Sequence, residues 1–218
     1  MSLLAPPLRA FAQFDDPAFF GVLWRSVAWA LAGIVALALL LARGAEAALA
    51  GHPWLAGLLG GVGAVVLAFY FFLPLAAVIA LLFVDRIAAA VERRWYPGLP
   101  PARPAPLAAQ VWDGLALGLR VFAWQALALL LSLVPLLAPV AAPLGWLVAA
   151  WSVGRGLFVA VAMRRMPRSQ AAALYARRRP AVLAQGALIA LGSAVPGLNL
   201  LVPLLGTAAM VHVLHENR

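Results

Sequence analysis

Long apolar stretches punctuated by arginines set the plan of this chain. Between Arg25 and Arg43 lie 17 residues without a charge, Ser26 to Ala42. As α-helix they measure about 25 Å at 1.5 Å per residue. With both arginines snorkelling toward the headgroups, that length crosses a membrane once. It predicts a first span over about 22–42. Between Glu46 and Asp85 lie 38 uncharged residues, opened by His52-Pro53-Trp54. Proline in a first helical turn and tryptophan at the interface mark a helix start. A helix over about 54–84 is roughly 46 Å long, so it must tilt or bend, with Pro74 as the natural kink.

The next two apolar runs have a different length. Arg120 to Arg155 encloses 34 uncharged residues, and Arg179 to Glu216 encloses 36. Each is too long for one ordinary span and tight for two, which with a turn need about 45 residues. Each also carries breakers near its middle: Pro135, Pro139 and Pro143 in the first, and Ser193 to Asn199, with Pro196-Gly197, in the second. Two Pro-broken helical hairpins follow, over about 115–163 and 181–214. Partial and full penetration are both compatible with arms of this length. The stretch of about 85–114 reads as a Pro-rich cytoplasmic linker, and 164–180 as a short basic loop. The fold class is therefore all-α integral membrane, one domain over 1–218, with two long transmembrane helices and two hairpins.

Composition agrees. Hydrophobic types make up 66% of the 218 residues and charged types 11%, against about 45–50% and 25% in soluble domains. A soluble fold of this size cannot hide so much apolar surface. All 16 basic residues are arginine, against 7 acidic ones. They cluster between apolar segments rather than along one face, which argues for topology and against nucleic acid. With the N-terminus in the cytoplasm, 14 of the 16 arginines fall inside, Arg43 falls outside and Arg155 lies within the membrane. Both termini are then cytoplasmic. Asp15, Asp16 and Arg25 precede the first apolar run, unlike a secretory signal. Cysteine is absent, which removes thiol chemistry and disulfides.

Few residues can carry chemistry. Arg155, in Val153-Gly154-Arg155-Gly156-Leu157, is costly at membrane depth. It is either an anion contact, since guanidinium recognises oxyanions through a planar fork, or an arginine snorkelling to headgroups. Asn199 sits beside Gly197 at the second break. There it either helps to coordinate an ion where helix ends meet in the membrane or caps the last helix. Arg177-Arg178-Arg179 reads as a basic run facing anionic lipid. His212 and His215 share a helix face, but zinc needs more ligands than these, so no metal site is expected. Gly57-xxx-Gly61 and Gly114-xxx-Gly118 have the spacing of close helix contacts. No phosphate loop, dinucleotide fingerprint, nucleophile–base set or metalloprotease motif occurs, so neither an enzyme nor a cofactor is expected.

The C-terminal third carries a resemblance. Trp151-Ser152-Val153-Gly154-Arg155-Gly156-Leu157-Phe158 leads into Met163-Arg164-Arg165-Met166-Pro167, then Gly186-Ala187-Leu188 and Val195-Pro196-Gly197-Leu198-Asn199-Leu200-Leu201-Val202-Pro203. This pattern resembles the CysZ and etoposide-induced-protein-2.4 family, and Val91-Glu92-Arg93-Arg94-Trp95-Tyr96-Pro97 resembles its bacterial branch. The resemblance implies a bacterial inner-membrane protein that forms a homo-oligomer and passes sulfate or another small anion. Gly186, Pro196 and Pro203 would be structural positions. Arg155, Asn199 and Gly197 would line the route, with Arg164 and Arg165 concentrating anions. Members carry Pro-Gly-Leu-Arg-Arg before the first span, with arginines that help bind sulfate. This chain has Pro17-Ala18-Phe19-Phe20-Gly21 there, and Arg25 is the nearest arginine. The other implied reading is a non-transporting membrane scaffold of the same family.

Overall fold

A computed structural model describes residues 5–13, 15–49, 51–63, 84–195 and 198–216. Among these, every regular element is an α-helix. They are α1 (Ala5–Phe11), α2 (Pro17–Ala48), α3 (Pro53–Gly63), α4 (Val84–Trp95), α5 (Leu107–Ser132), α6 (Ala138–Met163), α7 (Arg168–Ser193) and α8 (Leu198–His215). Most of the second expected span, with Pro74, lies outside the described residues.

The first span forms as expected and runs longer. Pro17 occupies the first turn of α2, and the Asp16 carboxylate accepts from the Ala18 N–H at 2.8 Å, satisfying an otherwise free donor. Phe19 is buried with Val22, Ile87 and Val91; Phe20 is exposed.

Both hairpins are present, α5–α6 and α7–α8. In the first, Pro135 lies in the turn and Pro139 in the first turn of α6. Each arm has 26 residues, about 39 Å, and both are long and apolar enough to cross a membrane. In the second hairpin neither arm meets that test: α7 is too polar, and the apolar stretch Leu201–His215 is short. Helix α6 is the central element, with 56% of its apolar window buried, against 12% in α2 and 6% in α5.

Two expected loops are something else. The basic stretch 164–180 is mostly helix, because α7 begins at Arg168 and runs through Pro180. Alanine, leucine and arginine are good helix formers, and a helix need not end where its charges begin. The expected linker 85–114 contains all but the first residue of α4 and the start of α5. Its irregular part, 96–106, is strapped to the end of α6: Arg103 N–H donates to the Arg164 carbonyl at 3.2 Å, and Arg165 Nη1 donates to the Pro100 carbonyl at 3.1 Å.

Helices α6 and α7 run antiparallel and make the closest contact. A Cβ at Gly186 would overlap the Ala150 carbonyl oxygen and lie 3.0 Å from Gly154 Cα. A Cβ at Gly154 would lie 2.8 Å from the Val182 carbonyl oxygen. By contrast, Gly57, Gly61, Gly114 and Gly118 meet nothing within 4 Å, so the two small-residue motifs join no helices among the described residues. Helix α8 packs on α1, α4, α6 and α7 and supplies Leu204, Ala208, Met210 and Val211 to the apolar core.

Candidate functional site

Two clusters of charge join the helices. The deeper one is built on Asp113 of α5. Arg155 of α6 grips its carboxylate with both terminal nitrogens, Nη1 to Oδ2 and Nη2 to Oδ1, each at 2.9 Å. Arg168, in the first turn of α7, donates Nε to Oδ1 at 3.0 Å. Asp113 and Arg155 are buried at 5% and 7% exposure, whereas the Arg168 side chain is 37% exposed. One carboxylate thus meets two guanidiniums, and the cluster keeps an excess positive charge. Bidentate geometry is the strong form of such a pair.

The second cluster caps the end of the bundle where α4, α6 and α8 meet. Arg164 bridges Glu92 at 3.0 Å and Asp85 at 2.9 Å. Arg165 reaches Glu92 at 2.7 Å, and His215 Nε2 approaches the same carboxylate at 3.4 Å. Here two carboxylates balance two arginines. Burial alone pushes the Glu92 carboxyl up. The hydrogen bonds from His215 and Arg165, with the charges of Arg164 and Arg165, outweigh that and hold its pKa at about 2, below the ordinary 4.5. Beside it, the Tyr96 hydroxyl meets His212 Nδ1 at 3.0 Å, Trp95 packs edge-on against His212, and Arg9 of α1 lies over the Trp95 ring.

The sequence candidates are therefore distributed rather than gathered. Arg155 lies in the deep cluster, and Arg164 and Arg165 in the capping one. Arg25 is exposed on α2 and takes part in neither. Asn199 falls in the first turns of α8; Gly197 and Pro196 lie outside the described residues. Pro203, inside α8, has no N–H to give to the Asn199 carbonyl, while its own carbonyl accepts from the Thr207 hydroxyl at 2.6 Å. Gly186 is the contact point of α6 and α7. Sequence reasoning missed Asp113 and the burial of Glu92, which falls in the stretch expected as a cytoplasmic linker. Among the described residues no group of His, Asp and Glu could hold a metal ion.

No curated protein and no solved structure matches the chain. The family described as Sulfate transporter CysZ/Etoposide-induced protein 2.4 matches residues 7–203, a stretch that contains both charge clusters, apart from the two C-terminal histidines, and the Gly154–Gly186 contact. Helical in all its described elements and matched over almost its whole length, the chain belongs to the Sulfate transporter CysZ/Etoposide-induced protein 2.4 family.

Proposed function

We propose that this protein is a permease of the bacterial inner membrane that passes a small oxyanion such as sulfate, with both termini cytoplasmic. One observation carries the reading: Asp113 is shared by Arg155 and Arg168. The surplus positive charge suits an anion, and sulfate presents the same pair of oxygens to a guanidinium fork as a carboxylate does. Asp113 stands in for the passing anion. As the anion engages Arg155 and Arg168 they release Asp113, so neither guanidinium is stranded in an apolar medium. Arg164 and Arg165, balanced by Glu92 and Asp85, hold the end of the bundle and contribute less to anion attraction. In this reading the chain is no enzyme, and several copies assemble together.

Sulfate uptake into proteoliposomes tests it. The wild type is expected to take up sulfate above empty vesicles, and Arg155→Ala to fall to the empty-vesicle level. Asp113→Asn, which removes the competing carboxylate, is expected to half-saturate at lower sulfate. Absence of uptake by folded wild-type protein, or unchanged uptake by Arg155→Ala, defeats the proposal. One observation favours the scaffold reading: both terminal nitrogens of Arg155 are already engaged by Asp113, as in a strut. On that reading Arg155→Ala lowers thermal stability, and no variant transports.

A further inference from the structure

The acidic side chains of this chain are nearly all committed. Asp15 pairs with Arg94, Asp16 caps α2, Glu46 lies 3.7 Å from Arg43, and Asp85, Glu92 and Asp113 belong to the two clusters. Glu216, the seventh, lies near Tyr96. The run Arg177 to Arg179 must therefore find most of its counter-charge elsewhere. Its members differ. Arg178 donates to the Val213 carbonyl near the end of α8, where cations favour a helix terminus. Arg179 is exposed, and its side chain makes no hydrogen bond or ion pair among the described residues. It lies at one end of a shallow groove of about 310 Å³ lined by Trp124, Leu144, Leu147, Val148 and Trp151.

The groove has the dimensions of one lipid chain. Leu144, Leu147, Val148 and Trp151 follow the three- and four-residue spacing of a single face of α6. Gly154 meets the Val182 carbonyl, so Arg179, three residues earlier on antiparallel α7, sits about one turn nearer the end of α6 than Gly154. From that level to Leu144 is about 20 Å of helix. That length is comparable to one leaflet's share of the hydrocarbon core, about 15 Å.

We propose that this groove is a binding site for one anionic phospholipid, with its phosphate on Arg179 and an acyl chain along Trp151, Val148, Leu147 and Leu144. The two tryptophans flank the chain, and the sulfate reading plays no part in the assignment. The occupant follows from charge: an apolar trough with one unmatched cation at its interfacial end complements a lipid phosphate.

Native mass spectrometry of the purified, detergent-solubilised protein tests it with three probes: phosphatidylglycerol, phosphatidylcholine and inorganic phosphate. Phosphatidylglycerol is expected to bind about five-fold more tightly than phosphatidylcholine, from one phosphate–arginine contact, and inorganic phosphate is expected not to persist. Arg179→Gln is expected to erase that preference. Arg177→Gln, on the same run but outside the groove, is expected to keep it. Leu147→Trp, which fills the groove from an exposed position, is expected to reduce binding of both lipids; circular dichroism verifies the fold of each variant. Equal losses in Arg177→Gln and Arg179→Gln would reduce the effect to general surface charge and overturn the site. So would equal affinity for the two lipids, retention of inorganic phosphate, or full binding in Leu147→Trp.

Discussion

A guanidinium inside a helical bundle needs a counter-charge within reach, and for Arg155 that group is Asp113, 42 residues earlier in the chain. Arg155 stands out in sequence as an arginine at membrane depth; Asp113 does not, because it lies close to the polar start of its arm. The hairpin itself held the missing information. Asp113 and Arg155 lie 22 and 20 residues from Pro135, so two antiparallel arms folded at that proline bring them side by side. Glu92 escaped for a different reason. Its neighbours Arg93 and Arg94 are exposed, and only the arrival of α6 and α8 buries it. Its lowered pKa has a measurable consequence. A folded value of about 2 against an ordinary 4.5 means that the ionised carboxylate stabilises the fold above about pH 4.5. That contribution drains away as pH falls toward 2. The thermal midpoint of the detergent-solubilised protein is expected to drop across this window. Glu92→Gln should be less stable at neutral pH and show a shallower drop, and parallel curves for the two proteins would contradict the assignment.

Helices were the most legible level, and their boundaries the least. Uncharged run lengths predicted α2, and run lengths with proline breaks predicted both hairpins. Treating charge as a helix terminator misplaces the start of α7. Ala171, Leu174 and the arginines of α7 form helix as readily outside an apolar environment as inside one. Spacing alone also does not locate the close contact. Gly114-xxx-Gly118 has the right period but faces open space, while Gly154 and Gly186, on different helices, are where backbones touch. Substitution separates the two kinds of glycine. Gly186→Ala inserts a methyl group into the Ala150 carbonyl and must part α6 from α7, at about 1–3 kcal/mol by analogy with overpacked cores. Gly118→Ala meets nothing and gains up to about 1 kcal/mol of helix propensity. Thermal unfolding of the two variants should therefore shift in opposite directions, and an unperturbed Gly186→Ala would remove that contact from the account.

At the scale of the whole molecule, the two polar clusters lie toward one end of α6, and the α5–α6 turn lies at the other. The turn is strongly exposed, with Leu136 at 86%. Because the chain has no cysteine, single replacements can report which side each end occupies. With the clustered end in the cytoplasm, a membrane-impermeant maleimide is expected to label Leu136→Cys in intact cells and Leu99→Cys only after the membrane is opened. Labelling of Leu136→Cys solely after opening would mean that the hairpin turns back before reaching the far surface, despite arms of about 39 Å. The packing of α1 against α8 has a further consequence, one of timing. A ribosome makes the first of these helices early and the other late, and α4, α6 and α8 contribute to the same cap. Until α8 emerges, Arg9 and Trp95 lack their His212 neighbour, and Glu92 lacks His215. The cap can therefore close only once α8 has been made, so the cell must shelter an unfinished surface while the intervening helices enter the bilayer.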